Sequence, residues 1–201
     1  VHCRPGSLFG INNPVVYDAD TVKDQKKEKR LLFVGRLHEP TKRLSILLNI
    51  WKKVSGQFPD WNLDIVGDGI DAGYHKHVCK RLKLTNVNFH GLQNPEEYYD
   101  RAAVILNTSP AEGFPMTLVE GMQNGLVPFS FDSYDSVTDL IDNGESGVII
   151  KYKDIDAYSR QLCLLMGDPE KMDSMSVKAK EKVNGLNHET IYRKWEEVLC
   201  R

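Results

Sequence analysis

The chain has 201 residues, 41% hydrophobic and 27% charged, with a formal net charge of −2. That is the make-up of a globular protein, at a size where folding hides roughly 70% of the unfolded surface. The near-balance of charge excludes a strongly cationic nucleic-acid binder and an acidic disordered tail, and no run of ~18 apolar residues offers a bilayer span.

Residues 1–30 read as a lead-in or linker. Pro5, Gly6, Gly10 and Pro14 punctuate it, only Val15-Val16-Tyr17 resembles a strand, and Lys23 to Arg30 is a charge run expected to be solvated. No apolar stretch follows Val1-His2-Cys3-Arg4, so no signal peptide is expected; the missing initial Met suits a processed chain or a piece of a longer one. From residue 31 the pattern is regular and predicts one domain, 31–201. Short apolar runs at 31–34, 63–66, 87–89, 103–106, 127–131 and 148–150 read as strands. Between and after them, helical spacing covers 44–56, 71–83, 95–101, 115–124, 135–142, 154–167, 169–183 and 188–200, with Pro95 and Pro115 opening their helices at the first helical position. Strands alternating with helices predict an α/β fold: a doubly wound parallel sheet of about six strands, helices on both faces, Rossmann-like. Trp51, Trp61 and Trp195 read as packing residues.

Cys3, Cys79, Cys163 and Cys200 are scattered, with no Cys-x-x-Cys pair. They read as reduced thiols of a cytoplasmic protein rather than as a disulfide scaffold or zinc site. His75-x-His77 would point to different faces of its helix, so no metal site is expected. Ser109 and Ser130 lack a nucleophile-elbow context.

In an open parallel sheet, ligands bind where strands end at their carboxyl side. The first such loop, Gly35 to Arg43, carries Arg36 and Lys42. One can fork onto a phosphate and the other place a point charge on it, although ordinary surface cations would look the same. Gly67-Asp68-Gly69, after the second strand, permits close backbone approach but matches neither a dinucleotide fingerprint nor a P-loop. The loop after the fourth strand runs Asn107-Thr108-Ser109-Pro110-Ala111-Glu112-Gly113-Phe114-Pro115-Met116-Thr117-Leu118-Val119-Glu120-Gly121. A helix opened by Pro115 would aim the unpaired amides of Met116 to Leu118 at a phosphate or diphosphate. Glu120, about one turn inside, would then lie near an attached sugar ring and accept from its vicinal hydroxyls. Thr117 and Glu120 also have the spacing of a capping box, which needs no ligand.

Taken together, these loops resemble the C-terminal, nucleotide-sugar-binding domain of the retaining glycosyltransferases of family four, which have the two-domain GT-B fold. The likeness runs from Asn13-Pro14-Val15, similar to the family's interdomain linker, to about Leu199. Its most specific element is Glu112 to Gly121 followed by Gly125-Leu126-Val127-Pro128. Gly35-Arg36-Leu37 with Lys42 comes next, then Val66-Gly67-Asp68-Gly69, Phe89-His90-Gly91 and Asp142 to Gly147. The resemblance implies that Arg36 and Lys42 hold the donor diphosphate, that Glu112 faces the transferred sugar, and that the backbone of Gly113, Phe114, Pro115, Met116, Thr117 and Leu118 binds sugar and phosphate. It implies that Glu120 takes the ribose hydroxyls, that Gly35 is a donor-binding position, and that Gly67, His90, Gly91 and Leu92 line the base pocket.

It further implies a metal-independent transfer of a hexose from a nucleotide sugar, UDP favoured, to a glycan or lipid-linked acceptor, with no nucleic-acid partner. The family's N-terminal acceptor domain, ~150–200 residues or about one domain, has no counterpart here, so the fragment is expected to be silent alone. Cytoplasmic residence, or peripheral attachment to the cytoplasmic membrane face through that domain, follows from the same likeness. The alternatives are a GDP-mannose-dependent mannosyltransferase and a non-catalytic nucleotide-binding module; an epimerase would need acid–base groups that cannot be placed. Arg43 departs from the family, which often has glycine there, as does Gln123-Asn124 where small residues are usual.

Overall fold

The computed structural model describes residues 11, 13–15 and 26–200. Val16-Tyr17 of the expected lead-in strand, Lys23 to Gln25 of the charge run, and Cys3 lie outside them. The strands β1 (Arg30–Val34), β2 (Asn62–Val66), β3 (Val87–Gly91), β4 (Val104–Leu106), β5 (Val127–Asp132) and β6 (Val148–Lys151) form one sheet, ordered β3-β2-β1-β4-β5-β6. Every adjacent pair is parallel. The helices are α1 (Glu39–Lys42), α2 (Leu44–Val54), α3 (Ala72–Arg81), α4 (Glu96–Arg101), α5 (Met116–Gln123), α6 (Ser136–Leu140), α7 (Ile155–Met166), α8 (Pro169–Asn184) and α9 (His188–Leu199).

Alternate side chains of a strand point to opposite faces, so a strand covered on both sides must be apolar throughout. In β1, Leu31 and Phe33 enter a core built with α2, α3 and α7, while Leu32 enters a second core with Tyr99, Leu118, Met122 and Val137 from α4, α5 and α6. The apolar stripe of α2 (Leu44, Leu47, Leu48, Trp51, Val54) is fully buried, as its spacing predicts. Trp51 and Trp61 pack inside. Trp195 does not: it stands half exposed on α9 beside the exposed Tyr192 and Leu199, and only Ile191 of that helix is buried.

The structure also corrects the sequence reading in detail. Pro95 and Pro115 are N-caps, one position before the first helical residue. The single turn α1, with Pro40 in its first turn, was expected to be loop. The described end of the charge run is docked rather than merely solvated. Lys27 Nζ donates to the carbonyls of Tyr99 (2.8 Å) and Asp100 (2.9 Å), and the Glu28 amide donates to the Arg101 carbonyl at 2.8 Å. Hydrogen bonds from Arg101 and Arg30 hold the Glu28 carboxyl down at about 2. Earlier in the lead-in, buried Val15 donates its amide to the Leu186 carbonyl at 2.9 Å.

Three glycines tie the ends of β1, β2 and β3. The Gly35 amide donates to the Val66 carbonyl (3.0 Å) and the Gly67 amide to the Gly91 carbonyl (2.8 Å). Gly67 has φ +133°, and a Cβ there would overlap the carbonyl of Gly35. Gly91, at φ +72°, has open space where a Cβ would stand. Gly91→Ala should therefore cost only the left-handed penalty, about 1–2 kcal/mol. Gly67→Ala adds a backbone clash that nothing nearby can relieve, and should cost clearly more or prevent folding. Denaturant unfolding of the two variants measures the difference.

Candidate functional site

In a parallel sheet every strand ends on the same rim, and here the order reverses between β1 and β4. The loops leaving those two strands diverge to opposite faces and leave a crevice between them. Both loops found in the sequence, 35–43 and 107–115, stand at that crevice. Lys42, in the last turn of α1, reaches across it and donates from Nζ to Glu112 Oε1 at 2.6 Å. The two side chains are 24% and 16% exposed, so the pair is partly withdrawn from water yet still open to a solute. Thr108, fully buried after β4, fastens the backbone beneath by donating from Oγ1 to the carbonyls of Lys42 (3.0 Å) and Arg43 (3.3 Å).

Arg43 explains how a non-glycine residue serves at this turn. It adopts the left-handed conformation, φ 50° and ψ 39°, between α1 and α2, where glycine would be unstrained. Arg36, two residues beyond β1, is exposed and makes no ion pair among the described residues. Its loop is fixed from the β2 side. The Leu37 amide donates to the Asp68 carbonyl (2.9 Å), the Asp71 amide to the Leu37 carbonyl (3.0 Å), and the Glu39 amide to Asp71 Oδ2 (2.7 Å). Glu39 in turn accepts from the Ser45 amide (3.1 Å) and hydroxyl. Beneath it lies His75, fully buried on α3, with neither ring nitrogen hydrogen-bonded and Nδ1 3.7 Å from Glu39 Oε2. Burial pushes the His75 pKa down, against the opposing pull of Glu39 and Asp71.

The start of α5 differs from the expectation. The Met116 amide is taken by the Phe114 carbonyl (2.9 Å) and the Leu118 amide by the Pro115 carbonyl (2.9 Å). Among the described residues, the amides of Gly113, Phe114 and Thr117 have no hydrogen-bond acceptor. The free donors therefore straddle Pro115 rather than filling the first turn. Asn13 of the lead-in stands at this end, its Nδ2 3.8 Å from Met116 Sδ.

The capping box does not form: the N-cap is Pro115, with no side-chain cap. Glu120 instead accepts through Oε2 from the hydroxyl of Tyr99 on α4 at 2.6 Å. Burial raises the Glu120 pKa, and the Tyr99 hydrogen bond partly offsets this.

The β3 side of the site is mixed. Gly91 and Leu92, 83% exposed, stand at the rim. His90 is committed to the sheet face, its Nε2 2.8 Å from Asp64 Oδ1 and its ring 4.6 Å from that of Tyr98. Burial alone would raise the Asp64 pKa, but hydrogen bonds from His90, Arg30 and Asn88 outweigh it and the pKa is lowered. Four contributors were not found from sequence: Thr108, Glu39, Asp71 and Tyr99. Of these, only Asp71, just before a helix, carries a local signal.

The comparisons bear on the family and the fold. The chain belongs to the glycosyl transferases group 1 family, whose profile matches residues 18–182. It is 28% identical over 198 residues to an uncharacterized glycosyltransferase of Haemophilus influenzae, covering 98% of this chain and 56% of that protein. It is 30% identical over 178 residues to the amylovoran biosynthesis glycosyltransferase AmsD of Erwinia amylovora, covering 87% and 49%. The chain thus spans about half the length of the relatives it matches. Among solved structures, a mutant of S. aureus TarM in complex with UDP, fondaparinux and α-GlcNAc-glycerol superposes with a TM-score of 0.87 at 22% identity, covering 94% of this chain and 39% of that one. The fold is the Rossmann-like half of a GT-B glycosyltransferase. Among the described residues, no helix is long and apolar enough to cross a membrane.

The raised pKa of Glu120 has a consequence for stability. Its favourable contribution is complete below the unfolded carboxylate value, near 4.3, and is lost as pH rises through the higher folded value. The group therefore contributes less to stability at neutral pH than in acid. Glu120→Gln should raise Tm by about 1–3 °C at pH 7, and the gain should vanish toward pH 4 in scanning calorimetry.

Proposed function

We propose that this chain is the donor-binding half of a retaining hexosyltransferase, taking a nucleoside diphosphate sugar, UDP-linked by preference, at the crevice between β1 and β4. The observation that carries the reading is the Lys42–Glu112 pair spanning that crevice, beside the open amides of Gly113, Phe114 and Thr117. In the ligand-free chain Glu112 occupies the position a phosphate would compete for. Arrival of the diphosphate gives Lys42 a new anionic partner and releases Glu112 toward the sugar. Arg36 supplies a second cation to the same group.

As the bond from the anomeric carbon to the diphosphate breaks and the bond to an acceptor hydroxyl forms on the same face, negative charge grows on the departing diphosphate. On this reading Lys42, Arg36 and the amides on either side of Pro115 stabilise it, so the reading requires no metal ion. The proton of the acceptor hydroxyl leaves with the nucleoside diphosphate or passes to solvent.

UDP is favoured because the Gly113-to-Glu120 run resembles that of UDP-hexose users, and because the TarM structure contains UDP. A glycan or lipid-linked acceptor, bound by another domain at the cytoplasmic membrane face, suits a relative named for polysaccharide biosynthesis. Gly35, Gly67, Gly91 and Leu92 stay in the proposed donor site as rim positions.

Calorimetric titration with UDP, GDP and ADP tests the assignment. UDP should bind with a Kd below about 1 mM, and failure of all three would overturn the site. Lys42→Ala should weaken UDP at least about tenfold, the scale of a lost charge-assisted contact, while uridine binding stays unchanged. Glu120→Ala should weaken UDP by about 1.5–3 kcal/mol. A loss of Tm with affinity intact would instead assign Glu120 to folding alone.

A further inference from the structure

We infer that Tyr99 is a positioning residue that sets the preference of the site for ribose over deoxyribose by fixing the carboxylate of Glu120. This rests on the donor-site reading above and deepens it.

A glutamate carboxylate hangs on three rotatable bonds, and it can take two vicinal hydroxyls at once only if its plane is held. Glu120 sits on the second turn of α5, partly withdrawn from water, and one oxygen is already committed: Oε2 accepts from the Tyr99 hydroxyl at 2.6 Å. Its other oxygen has no hydrogen-bond partner among the described residues. The carboxylate is therefore aimed, with an acceptor left over.

Tyr99 itself has nowhere to move. Its ring is fully buried among the residues of the core beneath α4 and α5, with Leu32, Val66 and Leu118. Its helix is pinned at the C-terminal end, where Lys27 Nζ donates to the carbonyls of Tyr99 and Asp100 and Glu28 accepts from Arg101 Nε at 2.7 Å. The donor that orients Glu120 is thus held by packing and by the hydrogen bonds at the end of its helix.

An alternative is that the Tyr99 hydroxyl merely satisfies a buried carboxylate. The two roles differ in what they do to ligand discrimination. A packing or solvation role changes affinity for every nucleotide alike. A positioning role acts only on ligands that present the ribose hydroxyls. Tyr99 does not itself reach the ligand.

The test compares UDP with 2′-deoxy-UDP by calorimetry on the 201-residue chain and its Tyr99→Phe variant, with Tm recorded for both. The unsubstituted chain should prefer UDP by about tenfold or more, the value of one charge-assisted hydrogen bond. Tyr99→Phe should bring the ratio to about threefold or less, because UDP loses more than 2′-deoxy-UDP, which keeps only the 3′-hydroxyl. Equal loss of both ligands, or an unchanged ratio, overturns the inference and leaves the donor site standing. Should the unsubstituted chain bind UDP no better than 2′-deoxy-UDP, Glu120 does not hold the ribose and the inference falls while the diphosphate site stands. Absence of UDP binding removes both. If Tyr99→Phe does not fold, 3-fluorotyrosine placed at residue 99 keeps the ring and hydroxyl but changes donor strength; the ratio should then shift, with UDP changing more than 2′-deoxy-UDP, and no shift overturns the inference.

Discussion

A single ion pair organises this chain's rim. Lys42 and Glu112 are 70 residues apart in sequence, on loops that leave β1 and β4 in opposite directions, yet they meet at 2.6 Å. The parallel strand order brings them together, because β1 and β4 are neighbours although two βα units separate them in the chain. A partly buried pair of this kind costs desolvation on both sides and is weak evidence for stability. The pair closes the crevice between the two loops, and the backbone under it is locked by Thr108.

The rim is also where the structure tolerates local cost. Arg43 takes a left-handed conformation that its side chain disfavours and buries an Nε with no acceptor; His75 is enclosed with both nitrogens unpaired; Glu120 keeps a carboxylate where burial resists its charge. Smaller costs lie elsewhere: Lys83 and Lys153 are also left-handed, and Ser136 Oγ is buried without a partner. Such strain persists only where surrounding structure over-determines it. Here the zipped pair of loops, Leu37 to Glu39 against Asp68 to Asp71, supplies that support.

Much of the fold was legible because it follows from local pattern. The inner strands and the α2 stripe are set by apolar spacing, and their burial leaves little freedom for a different reading, while the edge strand β3 is only partly buried and was marked by Val87 and Phe89 before Gly91. The rim loops were legible for another reason: Arg36, Lys42, Glu112 and Glu120 are charged residues at strand ends, where a bland connection needs only a turn. What local pattern does not contain is who meets whom. The docking of Lys27 and Glu28 onto α4, the bond from Tyr99 to Glu120 and the support from Thr108 each join segments 21 to 73 residues apart. The error at Met116 and Leu118 has a different origin. The proline placed the helix start correctly to within one residue, but the tight turn made by Phe114 and Pro115 consumed the amides that an ideal first turn would leave free.

The central claim is spatial, and a crystal structure of the chain with UDP tests it most directly. The account predicts diphosphate density between Lys42 and the amides of Gly113, Phe114 and Thr117, with Glu112 turned away from Lys42. Density elsewhere on the molecule, with the Lys42–Glu112 pair intact, would contradict it.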